Sequence, residues 1–176
     1  MKTSLVLTVL GSDRPGLVQS VSDVLASHGA NWEESRMANL AGKFAGILLA
    51  TVDSAQEAAL IQDLQRLRDS GLTVDVERSG ESTAAAPHHE LHLELIGQDH
   101  PGIIHDIARA LASRNVSVDE LTTEVRSATM SGESLFHASA KLRVPASLDT
   151  DELRDLMEDL ANELMVDITL GEEDGG

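Results

Sequence analysis

Gly11-Ser12-Asp13-Arg14-Pro15-Gly16-Leu17-Val18 returns at an offset of 86 as Gly97-Gln98-Asp99-His100-Pro101-Gly102-Ile103-Ile104. Each copy of this Gly-x-Asp-x-Pro-Gly turn stands between an apolar strand pattern and an amphipathic helix pattern, so the repeat predicts two copies of one structural unit. It also predicts two related sites. The first amides of a helix have no intrahelical partner and point outward, where a carboxylate can accept from them.

Upstream of the first turn, Leu5–Leu10 is a β-rich run; downstream, Leu17, Val18, Val21, Val24 and Leu25 recur at helical spacing. Asn31–Met37 reads as a second strand, Gly42 as a turn and Phe44–Val52 as a third strand. Leu60, Ile61, Leu64 and Leu67 mark a second helix ending near Gly71, and Leu72–Arg78 is a fourth strand. The order is βαββαβ. The second half repeats it with strands at Glu90–Ile96, Val116–Arg126, Leu135–Val144 and Met165–Leu170. Its helices carry Ile103, Ile104, Ile107, Ala110 and Leu111, then Leu153, Leu156, Met157, Leu160 and Leu164. Its hairpin around Ser131-Gly132-Glu133 is about six residues longer, an insertion that belongs in a surface loop.

Such a unit is the ferredoxin-like arrangement, an antiparallel four-stranded sheet with both helices on one face, and the fold class is α+β. Four segments follow: a first domain over 1–78, a small-residue linker over 79–89, a second domain over 90–170 and an acidic tail over 171–176, expected to be disordered.

Alternation assigns the faces of each sheet. In the second unit Leu91, Leu93, Leu95, Phe136, Ala138, Ala140 and Leu142 lie under the helices, while His92, Glu94, Ile96, His137, Ser139, Lys141 and Arg143 face away. In the first unit the outward set is Val6, Thr8, Leu10, Ala45, Ile47, Leu49 and Thr51. That set is too apolar for water, so the face, with Val6, Leu10, Ile47 and Leu49 as its interface residues, is expected to be covered by the other unit, a second copy or a partner protein.

Composition narrows the functions. Of 176 residues 41% are hydrophobic but only 2% aromatic, and the net charge is −17. An acidic chain lacks the cationic face that nucleic acid and anionic membranes require. The charge is uneven: through Arg78 there are 7 basic and 10 acidic residues, and beyond it 6 and 20, which either attracts a basic partner or simply solvates the surface. There is no cysteine, hence no disulfide, thiolate metal site or cysteine nucleophile, which fits a cytoplasmic protein. The apolar start could be read as a signal peptide, but its equivalent at 90–96 is internal, so residues 3–10 are a strand, and no run is long enough to span a membrane.

Two βαββαβ units, each with the Asp-x-Pro-Gly turn, and helices ending in Ala26-Ser27-His28-Gly29-Ala30-Asn31 and Ala112-Ser113-Arg114-Asn115-Val116-Ser117, resemble tandem ACT domains. The chain looks most like the glycine cleavage system transcriptional repressor family over residues 2–170. The resemblance implies an amino acid, with glycine the first to test, held between two domains by the first loop, the start of the first helix and the start of the second strand. Carried across, these positions are Asp13, Arg14, Pro15, Gly16, Leu17, Val18 and Asn31 in one unit. In the other they are Asp99, His100, Pro101, Gly102, Ile103, Ile104 and Ser117. It further implies a homo-oligomer whose partner is a DNA-binding transcription regulator, without direct contact to nucleic acid.

The chemistry is compatible: Gly16 lets a ligand approach the backbone, Pro15 presets the turn, and Asn31 offers a donor and an acceptor. His100 for Arg14 and Ser117 for Asn31 make the two sites unequal, and the first is expected to bind first. The alternatives are that Asp13 and Asp99 cap helices and Pro-Gly only shapes a turn, and that the chain is an interaction module binding no metabolite. Clustered His88, His89 and His92 lack a completing ligand pattern, so no metal is expected; His92 and His137 could form a pH-sensitive pair. Phe44 and Phe136 point inward, against base stacking, and no catalytic residue or cofactor is assigned, since Arg14 and Asn31 would serve phosphate chemistry in one unit only.

Overall fold

The computed structural model describes residues 1–80 and 84–172; residues 81–83 of the linker and 173–176 of the acidic tail lie outside the described residues. The chain divides into two compact units meeting between Thr83 and Ala84, each with its own aliphatic core.

The first unit runs β1 (Lys2–Ser12), α1 (Leu17–Ser27), β2 (Asn31–Leu40), β3 (Lys43–Asp53), α2 (Glu57–Arg66), a 3-10 turn over Leu67–Ser70, and β4 (Leu72–Arg78). The second runs β5 (His88–Gln98), α3 (Ile103–Ser113), β6 (Ser117–Ser127), β7 (Ser134–Pro145), α4 (Thr150–Leu164) and β8 (Val166–Gly171). The sheets have the orders β2-β3-β1-β4 and β6-β7-β5-β8, antiparallel throughout. Both units are ferredoxin-like.

The faces follow the pleat. Leu5, Leu7 and Val9 of β1 and Leu48, Ala50 and Val52 of β3 are buried against Leu17, Val21 and Leu25 of α1, residues spaced four apart on one helical stripe. Leu91, Leu93 and Leu95 meet Ile103, Ile107 and Leu111 in the same way. Phe44 and Phe136 pack on these cores rather than facing out.

Several ends differ from the sequence expectation for local reasons. β5 starts at His88, two residues early, because His88 and His89 already pair with Pro145 and Val144 of β7. Met165 is not a strand residue: it closes α4 in the left-handed conformation, with φ 55°. Gly29 and Asn115 hold the matching left-handed position after α1 and α3, which is why those segments carry glycine and asparagine there. The β2–β3 hairpin turns through Ala41-Gly42, both at positive φ as a type I′ turn requires, whereas the β6–β7 loop spans 128–133.

Among the described residues one charged side chain is buried. Glu57, in the first turn of α2, is 6% exposed and accepts from two of the Arg78 guanidinium nitrogens, Nε at 2.5 Å and Nη2 at 3.0 Å. These hydrogen bonds hold the Glu57 carboxyl below the ordinary carboxylate range against the opposing effect of burial. A depressed acid stabilises the fold above its unfolded value and stops doing so as pH falls through the folded one. Glu57→Gln is therefore expected to lower the first unit's urea midpoint at neutral pH. The gap from the native chain should close below about pH 4, the ordinary carboxylate range, as followed by the fluorescence of Trp32.

Candidate functional site

The repeated turn is built by position rather than by capping. Gly11 and Gly97 are glycines because a Cβ on Gly11 would lie 2.9 Å from the Gly71 carbonyl oxygen, and one on Gly97 would lie 2.8 Å from Cβ of Val166. Gly16 and Gly102 are the N-cap residues of α1 and α3, at φ 90° and 94°, a conformation in which other residues are strained. The first intrahelical bonds run from Ser20 to Gly16 and from Asp106 to Gly102. The amides of Leu17 and Val18, and of Ile103 and Ile104, consequently lie outside the helical ladder. Leu17 and Ile103 bury their side chains, so each could meet a ligand only through its backbone.

Asp13 and Asp99 are not the N-caps of these helices, a position held by Gly16 and Gly102. Their backbone amides instead tie the loop to the neighbouring hairpin, Asp13 to the Gly42 carbonyl and Asp99 to that of Ser134, both at 2.9 Å. Pro15 and Pro101 precede the glycines and so lie outside the helices proper. Arg14 donates to the Ser70 carbonyl at 2.8 Å, and His100 sets Nε2 3.3 Å from the Leu164 carbonyl. Unlike in chemistry, the two residues play the same structural part, for each ties the loop to the carbonyl end of the unit's last helical segment.

Asn31 stands elsewhere. It opens β2 after the end of α1, and an 11-residue helix separates it from Gly16 by about 16 Å. Within one unit, then, the loop residues and Asn31 are not brought together. Asn31 donates to Glu33 Oε1 at 2.9 Å, where Thr51 donates at 2.8 Å. The Asn31 bond, then that of Thr51, lowers the Glu33 carboxyl from its ordinary value. The second unit builds the matching corner from Ser117, Asp119 and Arg143, with Arg143 Nη2 2.7 Å from Asp119 Oδ1. Glu33 and Asp119 occupy a β-bulge in each unit and escaped the reading from sequence, although the offset of 86 aligns them as acids.

The open sheet faces differ. On the first unit Leu10 and Ile47 are 52% and 54% exposed, with Val6 and Leu49 half-buried beside them. This apolar stripe is confined to the two central strands: register sets Asp75 and Glu77 of β4 on one side and Glu34 and Arg36 of β2 on the other. On the second unit the face is a polar network. Glu94 joins the two histidines, with Oε1 2.6 Å from His92 Nε2 and Oε2 2.7 Å from His137 Nε2. The bond to His92 leads in depressing the Glu94 carboxyl, which burial opposes. Ser139 Oγ lies 3.3 Å from the same His92 nitrogen that meets Glu94, so Ser139, His92 and Glu94 lack the two-ended relay of a nucleophilic triad.

His88 and His89 turn to the Ala86 carbonyl and the Thr150 hydroxyl. Among the described residues no cluster of three His, Asp or Glu is placed to hold a metal, and no helix is long and apolar enough to cross a membrane.

The family model for the ACT domain matches residues 3–77. The chain is 27% identical to the glycine cleavage system transcriptional repressor of Escherichia coli over 164 residues, 91% of this chain and 85% of that protein. It is 38% identical over 88 residues to a UPF0237 protein of Methanopyrus kandleri, covering 97% of that protein and 49% of this chain. A crystal structure of a protein of unknown function from Galdieria sulphuraria superposes with a TM-score of 0.87 at 30% identity, covering 98% of this chain and 99% of that one.

Proposed function

This chain is a tandem ACT-domain protein that resembles the glycine cleavage system transcriptional repressors, and from that premise we propose that it is an amino-acid-sensing regulator acting on transcription through contact with a DNA-binding regulator. The carrying observation is the duplicated helix start, in which a left-handed glycine leaves the amides at Leu17-Val18 and Ile103-Ile104 directed outward, the geometry that accepts a carboxylate. Asn31 and Ser117 serve the same ligand from a neighbouring copy, because in their own unit they stand at the other end of the helix. In this reading the chain itself stays off DNA, in keeping with its charge of −17, and works in the cytoplasm as an oligomer without a cofactor or catalytic residue. The apolar stripe Val6, Leu10, Ile47 and Leu49 is the partner's footing. A sensor must hold its ligand differently in two states, since equal affinity for both shifts nothing.

Titration calorimetry with glycine and then the other amino acids tests the first step. Binding is expected in the native chain and is expected to weaken more in Gly16→Ala than in Gly102→Ala. Capture of partners from the native cell with and without glycine tests the second, and recovery of no transcription regulator in either condition removes the repressor reading. Arg14, His100 and Asn31 already bond within the chain, which favours one competing role, an interaction module that binds no metabolite. Partner capture without heat from any amino acid would select it.

A further inference from the structure

The open face of the first sheet is bordered by two carboxylates that nothing else in the unit answers. Register sets Asp75 of β4 beside Thr8 and Glu77 beside Val6, so both acids share a face with the apolar stripe and line one side of it. Both are exposed, and among the described residues neither has a hydrogen-bond or ion-pair partner. Across the stripe, Glu34 already accepts from Arg36 at 2.8 Å. The rim is lopsided: one side is satisfied, and the other carries two open negative charges.

The second unit lacks this combination. Its register puts Thr169 and Gly171 beside Glu94 and His92, the counterparts of Thr8 and Val6 at the offset of 86. Ser139 and Lys141 stand where the first unit has Ile47 and Leu49. The central acids of that face are answered at home, Glu94 by His92 and His137, Glu124 by His137 at 3.5 Å and Glu90 by Lys141 at 3.8 Å. Asp167 stands beside Ile96, but no stripe continues from it. An apolar stripe flanked by open acids belongs to the first unit alone.

We propose that the stripe receives an amphipathic helix of a partner protein, apolar along the side it lays down and basic along one flank, with Lys or Arg at i and i+4 over Asp75 and Glu77. The inference rests on the reading of the stripe as the partner's footing and adds the partner's chemistry. The sizes agree. Strands β2 and β4 are three strand spacings apart, about 14 Å, and a helix with its side chains is about 10–12 Å across. Val6 to Leu10 spans about 13 Å, the length of about nine helical residues. Residues two apart on a strand are separated by about 6.7 Å and residues four apart on a helix rise by about 6 Å, so successive turns of one flank meet the two acids. The stripe lies on β1 and β3, each hydrogen-bonded on both sides, so side chains alone recognise what covers it, as when a helix docks by its i, i+3, i+4 and i+7 residues. A second copy is a poorer occupant. Its α-helices already bury their apolar stripes in their own cores, and stacking two of these faces sets three acids and one arginine against the same set.

The probe is a fluorescein-labelled peptide of about 18 residues, past the length at which isolated helices are marginal, with leucines at helical spacing and lysines at i and i+4 beside them. A second peptide carries glutamates in place of those lysines. By fluorescence anisotropy the native chain is expected to hold the lysine peptide about tenfold more tightly than the glutamate peptide. Asp75→Lys combined with Glu77→Lys is expected to reverse that preference, and Ile47→Lys to lose both peptides. Asp167→Lys combined with Glu172→Lys, the same change of net charge on the second unit, is expected to alter neither, while circular dichroism of each variant stays native. Equal affinity for the two peptides, or a preference that the double change on β4 leaves in place, overturns the proposal. So does a chain that sediments as an oligomer and is released to monomers by Ile47→Lys, since a second copy then covers the stripe. Reversal of the preference with no regulator captured from the cell removes the regulator and keeps the helix chemistry. A regulator captured equally by the native chain and by the double variant on β4 keeps the regulator and removes the helix chemistry.

Discussion

Gly97→Val is expected to remove about 3 kcal/mol of stability from the second unit, the upper range for forcing bulk into a packed site, and to leave the first unit unchanged. Gly97 lies directly opposite Val166 in the β5–β8 ladder, and an added Cβ meets Cγ1 of Val166 at once. The Val166 methyl can rotate away, but its Cα stays 3.1 Å from the new atom, so the strands themselves must separate. The two γ-methyls of valine then need space beyond what Cβ has already taken. Domains are stable by about 5–15 kcal/mol, so the loss is a large share of the total. The single tryptophan is Trp32, in the first unit, which makes the readout separable. Urea unfolding followed by tryptophan fluorescence should coincide with that of the native chain, while circular dichroism gains an early transition. Val166→Ala, by withdrawing the γ-methyls, should recover part of the loss. A shift in the fluorescence transition of the same size would show that the two cores do not melt separately.

Ile47→Lys is expected to leave the fold intact and to weaken capture of the partner about a hundredfold, the scale of losing an interface hot spot. Ile47 is 54% exposed at the middle of the apolar stripe, so in the free protein a lysine there can carry its charge into water. Once a partner covers the stripe, that charge loses water without gaining an opposite neighbour, which is costly. The acids flanking the stripe, Asp75 and Glu77 on one side and Glu34 on the other, stand at its rim. Thr8→Lys, nearer to Asp75, is the useful comparison and should cost less. Equal capture by native and Ile47→Lys chains would remove the stripe from the partner interface.

Most of the fold was legible because both periodicities are clean. Leu5, Leu7 and Val9 alternate, Leu17, Val21 and Leu25 fall four apart, and the second unit repeats both in phase. The open-face assignments of β1, β3, β5 and β7 followed from the same alternation. The site was only partly legible. Sequence spacing sets Arg14 and Asn31 near each other along the chain, but a helix between them carries Asn31 to the far end of the unit. Equally hidden was the shared role of Arg14 and His100, since a guanidinium and an imidazole look unlike until both are seen against helix-end carbonyls. The bulges at Glu33 and Asp119 leave no composition signal, and the acids on β4 and β2 that bound the first apolar stripe emerge only once register is known.

The Ala41-Gly42 turn also biases when the two halves order themselves. Bringing β2 to β3 closes two residues, while bringing β6 to β7 closes 128–133, and closure entropy grows with the logarithm of loop length, by about 0.6 kcal/mol for each doubling. The hairpin that is cheaper to close is also the one nearer the N-terminus, and so the first to leave the ribosome. Order of synthesis and ease of closure therefore favour the same sequence of events, with one unit compact before the longer loop of the other has been made.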